Sequence, residues 1–261
     1  MKRNTKKIEL RCELENLEQR RLLSAPGHSA NLYAPHAMVR GESSSAWTAD
    51  WWKWVLSFPV SSNPDFDTTG ASGSVGDVGK VFFLGGTFGG TYNRTLTVPT
   101  GTPIFFPVVN FLNDEVGRPT PVPVSQLRTE AAATEDAATG LFATEDGQAI
   151  ANVKDHREIS PVFSYTLPAR DNVYQFFGVD VSGTQSPAVS DGYWIMLKPL
   201  GPGQHVITFG GSAGGIDVNI TYHLIVAPKG QLKQDAAVAV TAGNGPFSRK
   251  AINDDLAEVL Q

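Results

Sequence analysis

The pattern of apolar and polar positions divides this chain into a short helical opening, a long β-patterned body and polar ends. Trp47, Trp51, Trp54 and Val55 fall at i, i+4, i+7 and i+8, one apolar face at helical spacing. The spacing predicts a helix from near Ser45, capped by Ser44 or Ser45 and stopped by Pro59. A loop rich in Asn, Asp, Pro, Ser and Gly follows over 61–79. The text then turns to short apolar, β-branched and aromatic runs at 80–85, 93–98 and 102–109, each bounded by Gly or Pro. An alanine- and glutamate-rich stretch at 124–139 predicts a helix capped by Ser125 and ended by Gly140.

Further strands are predicted at 141–144 and 148–152, joined across Glu145-Asp146-Gly147, where Asp-Gly is a hairpin signal. Others follow at 162–167, 174–181, 192–198, 205–210 and 218–226. The last two alternate most cleanly. His205, Ile207 and Phe209 share one face with Val218, Ile220 and Tyr222, while Val206, Thr208, Asn219, Thr221 and His223 lie opposite. About ten short strands with turn signals between them predict an all-β fold, an antiparallel β-sandwich of jelly-roll or Ig-like type. A Trp-rich helix precedes it and one helical insertion interrupts it. The domain reading is an address segment over 1–25, a linker over 26–41, a sandwich over 42–228 and an appendage, partly helical or disordered, over 229–261.

Composition narrows the function classes. Gly 26 and Pro 17 in 261 residues favour turns and short strands over long helices. No run of 18 apolar residues exists, so no transmembrane helix is predicted. The net charge of −5 is uneven: 1–25 is net basic, 229–261 balances, and the middle is strongly acidic. An acidic body without a basic stripe argues against nucleic acid as a partner. Cys12 is the only cysteine, which excludes an intramolecular disulfide.

The N-terminal segment has a basic start but no apolar core of a secretory signal. Its Leu17, Glu18, Arg20, Leu22, Leu23 and Ser24 instead resemble the LEPR-XLL segment of planctomycete-type exported proteins, with Gln19 where that motif prefers proline. The resemblance implies export to the cell surface and no chemistry. Residues 45–228 resemble a group of uncharacterised secreted bacterial β-sandwich proteins. The matching motifs include Trp51-Trp52-Lys53-Trp54, Asp67-Thr68-Thr69-Gly70, Val81-Phe82-Phe83-Leu84-Gly85-Gly86, Ile104-Phe105-Phe106-Pro107 and Asp191-Gly192-Tyr193-Trp194. Members often carry cysteines around 71–79, where this chain has Ser72 and Ser74. This second resemblance implies the fold alone.

Candidate chemistry is sparse. Trp52 lies off the helical face shared by the other tryptophans, so it is the candidate ligand-binding platform, stacking on sugar rings; the alternative is that it packs under the loop that follows. Asn63, Asp65 and Asp67 stand at i, i+2 and i+4 like the opening of a calcium loop, but Thr68 and Ser74 occupy the positions where an EF-hand needs Gly and Glu. Asx-turn bonding is the plainer reading of these three. The histidines show no metal spacing, and no cofactor is called for. Asp114, Glu115, Glu158 and Asp191 are the carboxylates a glycosidase pair would draw on. Arg94 and Arg157 each suit an ion pair with a carboxylate across the sheet.

These readings favour an exported, non-catalytic binding or structural module of the cell envelope, with polysaccharide or another envelope protein as partner. Two alternatives stay open: a secreted polysaccharide hydrolase using a carboxylate pair, and a calcium-stabilised lectin-like domain.

Overall fold

In the computed structural model, which describes residues 31–228, the body is a two-sheet sandwich with a tryptophan helix on its outer side. A small hairpin, β1 (Met38–Val39) and β2 (Glu42–Ser43), leads into helix α1 (Ser44–Leu56). Ser43, one residue earlier than the spacing predicts, caps α1 by accepting the Ala46 N–H. Strands β3 (Phe82–Phe83), β4 (Gly90–Pro99) and β5 (Ile104–Asp114) precede helix α2 (Val124–Asp136). Strands β6 (Thr139–Glu145), β7 (Gln148–Ala149), β8 (Arg157–Ile159) and β9 (Phe163–Leu167) follow. A one-turn helix α3 (Val173–Phe176) then leads to β10 (Gly183–Leu197), β11 (Gly203–Ala213) and β12 (Ile216–Ala227).

One sheet runs β3-β5-β10-β8, with β9 also on β10; the other runs β4-β12-β11-β6-β7. The edge pairings β4–β12 and β3–β5 are parallel, and the other pairings among the described residues are antiparallel. The inner faces meet in one core, where Phe106 stacks on Phe209 at 4.6 Å and Phe209 on Tyr222 at 6.1 Å. The opposite face of the β5–β10 sheet is covered by α1. There Trp51 meets Trp194 edge-on at 5.4 Å and Trp194 stacks on Phe105 at 5.1 Å. Cover on both faces explains why residues 104–109 of β5 are buried without alternation.

Several predicted elements differ. The run at 174–181 is α3 plus irregular chain, because Asn172 and Gln175 form a reciprocal capping box that starts a helix. Strand β10 begins at Gly183, well before the apolar run at 192–198, because its first half pairs with the short β9 and alternates exposed and half-buried positions. Helix α2 follows Pro123 without a side-chain cap and stops at Asp136. The address segment with Cys12, linker residues 26–30 with His28, and the appendage lie outside the described residues.

Candidate functional site

Four polar clusters among the described residues take in the candidate carboxylates or the residues beside them. The deepest is built on Arg94. Strand alternation turns Arg94 inward from β4, directly beside Tyr222 of β12, and leaves it 1% exposed. Its Nη1 donates to Gly86 O (2.8 Å), Gly85 O (3.3 Å) and the Tyr222 hydroxyl (2.6 Å), and Nη2 reaches the main-chain oxygen of Asp65 (3.4 Å). The Tyr222 hydroxyl in turn donates to Gly85 O at 2.8 Å. The guanidinium also lies 5.5 Å from the ring centroids of both Tyr92 and Tyr222. Asp65 accepts the Gly86 N–H at 2.7 Å. Burial pushes the Asp65 carboxyl up to about 7, although Arg94 and the Gly86 N–H pull the other way. Burial works against the Arg94 charge, but Tyr222, Asp65 and Asp67 outweigh it and raise its pKa.

Gly85 is required at this point, since a Cβ there would stand 2.9 Å from Pro64 O and 3.0 Å from Asp65 Oδ1. A cavity beside Arg94, also lined by Trp54, Asp67, Gly73 and Tyr222, has room for about one water molecule. The cluster fastens the 63–86 loop to two strands. It offers no space for a substrate.

Asp67 and Asn63, two of the calcium-loop candidates, serve that same loop. Asp67 accepts the N–H groups of Thr69, Gly70 and Ser72 (2.9, 3.0 and 2.7 Å). Asn63 accepts the Asp65 N–H at 2.9 Å and donates to Val55 O at 2.7 Å. Among the described residues, no group of three or more His, Cys, Asp or Glu could hold a metal ion.

The second cluster lies under α2. Asp191 of β10, 2% exposed, takes two parallel bonds of 2.9 Å from Arg157 of β8. Arg157 also pairs with Asp136 and donates to Ala132 O at 3.2 Å. Glu135 sits against this pair with 0% exposure, and neither of its carboxylate oxygens has a hydrogen-bond partner. Burial, reinforced by the nearby Asp191, pushes Glu135 up to about 8. A protonated acid beside a second carboxylate is the chemistry of an acid–base pair. Here, however, both members are sealed beneath the helix.

The third cluster closes the far end of β5. The Asp114 Oδ2 receives the hydroxyls of both Tyr165 and Tyr174, whose oxygens are 2.8 Å apart, and Oδ1 accepts the Val116 N–H at 2.8 Å. Burial and the adjoining Asp114 raise both phenols well above their ordinary range. In the fourth, the Glu158 Oε1 accepts the His36 N–H at 3.0 Å and faces its Nδ1 at 3.1 Å. His156 nearby is lowered by burial and by His36. Glu115 stands apart, with its oxygens on the Val122 N–H at 3.0 and 3.3 Å.

The four carboxylates expected from sequence are therefore not brought into one site; each is held by its own donors. The exposed platform expected at Trp52 is also corrected. Trp52 is 7% exposed and packs edge-on to Trp51 at 5.1 Å. Helix α1 is covered on two sides, by the β8–β9–β10 face and by the loop that Trp51 and Trp54 bond through Leu84 O and Val75 O, so a position off the first apolar face is buried as well. The expected ion pair of Arg157 across the sheet is present, whereas Arg94 is held mainly by carbonyls and a phenol. Glu135, Tyr165 and Tyr174 were not singled out from sequence. Glu135 alone had a legible signal, four residues after Ala131 and eight after Leu127 on the buried stripe of α2. Compared with protein-family models, with curated proteins and with solved structures, the chain finds no match in any of the three.

Proposed function

We propose that this chain is an exported, non-catalytic binding or structural module of a bacterial cell envelope, with a polysaccharide or another envelope protein as its partner. The observation that carries the non-catalytic part is the occupancy of the candidate carboxylates. Asp114, Glu115, Glu158 and Asp191 hold tyrosine, backbone, histidine and arginine donors respectively, so their oxygens act as internal ties. Export rests on the LEPR-XLL-like residues Leu17, Glu18, Arg20, Leu22, Leu23 and Ser24. No helix among the described residues is long and apolar enough to cross a membrane.

The hydrolase alternative is favoured by one observation, the buried, unpartnered Glu135 beside the Arg157-bound Asp191, its carboxyl pushed up to about 8 by burial. Substrate could reach that pair only if α2 lifted from the sheet. One experiment separates the readings: retention of the full chain on a panel of polysaccharides, with and without EDTA, while reducing-sugar release is read in the same wells. Retention without release supports the binding module. Release sinks it, and retention lost on chelation moves the reading to the calcium-stabilised lectin. Cell fractionation of the tagged chain tests export, which a purely cytosolic signal would overturn.

A further inference from the structure

Besides the Arg94 cavity described above, the described residues hold buried unpartnered donors under α1 and the outer face of the β4-β12-β11-β6 sheet. The cavity has room for only about one water, and the donors lie in a closed interior. Among the described residues none of helices α1 to α3 packs on the sheet face, and its composition is unusual.

The strand registers place side chains on this face in rows. Asn93, Thr221, Thr208 and Thr144 line up across β4, β12, β11 and β6. Thr91 and Asn219 form the next row on one side, and Thr95 and His223 the next on the other. Strand geometry repeats these positions at about 6.7 Å along each strand and about 4.8 Å between strands. Thr91, Asn93, Thr95, Asn219 and His223 are exposed, and the central threonines are half-buried by one another. Thr208 and Thr221 share a 3.2 Å hydroxyl contact.

Between the rows of Thr91 and Thr97, no outward position on β4, β12 or β11 is Lys, Arg, Asp or Glu. A surface of ordinary composition would be charged at roughly a quarter to a third of such positions. The charges begin at the margins and are engaged there. Asp217 bonds Ser212, and Asp146 accepts the Val206 N–H (2.8 Å) and faces His205 Nδ1 (2.8 Å). This neutrality is local, because the body as a whole is acidic.

We propose that this face binds a neutral, hydroxyl-rich polysaccharide laid flat across the threonine rows. The proposal rests on the binding-module reading above and assigns it a surface and a ligand class. Charge complementarity selects the partner. An acidic polymer would meet a repelling body, and a basic one would find no carboxylate within the rows. A greasy partner would find only the scattered Val206, Ile225 and Phe142 among hydroxyls and amides. Sugar hydroxyls both donate and accept, as do the threonine and amide side chains in these rows.

The test is depletion of the full chain from solution by insoluble β-glucan, mannan and chitin, with alginate beads as the charged control. Asn93→Lys combined with Asn219→Lys places two charges on exposed positions of the face; Thr120→Lys, an exposed threonine off the sheet, controls for added charge. Circular dichroism and light scattering accompany each variant. Retention on a neutral polymer that the double variant weakens about tenfold or more, while Thr120→Lys matches the parent, supports the proposal. Retention untouched by the double variant overturns the face but leaves the binding module standing. Absence of retention on every neutral polymer overturns the ligand class. A dimer in solution that the double variant abolishes also overturns it and gives the face to self-association.

Discussion

Glu135 makes the sharpest test of how this interior is built. Its carboxyl is fully buried, unpartnered and raised from 4.5 to about 8, chiefly by burial and then by Asp191. In the unfolded chain the same group ionises near its ordinary value. Between pH 4.5 and 8 the folded state therefore binds the extra proton, and stability falls as pH rises through that window. At about 1.36 kcal/mol per unit, the contribution lost is about 3 kcal/mol by pH 7 and about 5 kcal/mol above pH 8. Replacing Glu135 by Gln keeps the shape and removes the titration.

The assay is urea unfolding of the parent and Glu135→Gln at half-unit steps from pH 4.5 to 9. The difference between the two curves matters, because Asp65, raised to about 7 by burial, adds a slope of the same sign to both. The variant is expected to gain on the parent steadily with pH and to level off past pH 8. A difference that stays flat across the window would refute the assignment of a buried, protonated Glu135 and would mean that α2 opens enough to hydrate it.

Other substitutions probe the remaining ties. Arg94→Met strands two carbonyls, the Tyr222 hydroxyl and Asp65 in the core, and a loss of about 3–5 kcal/mol in chemical denaturation is expected. Trp52→Ala should cost about 3–5 kcal/mol through the cavity it opens, with polysaccharide retention unchanged at temperatures where the variant is folded; lost retention there would return Trp52 to the binding site. Asp67→Ala removes the acceptor of three backbone N–H groups and should make the 67–76 loop the first site of limited proteolysis. EDTA should leave the melting temperature of the parent unchanged, because the Asn63 and Asp67 oxygens are already occupied; a fall on chelation would restore the calcium reading.

Local pattern carried much of this fold. The i, i+4, i+7 tryptophans wrote α1, and the alternation of residues 205–210 and 218–226 wrote the β11–β12 hairpin with the faces it has. What failed to show was what lies above each element. Trp52 looked free because a helix wheel displays one partner surface, and α1 has two. Residues 174–181 looked like a strand because their apolar content hid the Asn172–Gln175 capping box. Asp114 was visible as a carboxylate, but Tyr165 and Tyr174 approach it from positions 51 and 60 residues away, which no spacing rule encodes. Arg157 and Asp191 were each visible too; only the β8–β10 pairing puts them in contact.

The distribution of charge then argues for function in its own right. Ionisable groups that sequence would offer to catalysis are drawn inward, where they tie loops and helices to strands: Arg94 and Asp65 on the 63–86 loop, Asp114 on β9 and α3, Asp191 on β8 and α2. Such ties are costly to break and contribute modestly when whole, so they suit an architecture that holds one shape. The outer face of the β4–β12–β11 sheet is treated in the opposite way, with its charges displaced to the margins and hydroxyls left in rows. A catalytic domain would be expected to place its perturbed carboxylates where substrate can reach them. Among the described residues the two carboxyls raised by burial, Asp65 and Glu135, are buried, and the accessible sheet face carries threonine and amide side chains that both donate and accept hydrogen bonds.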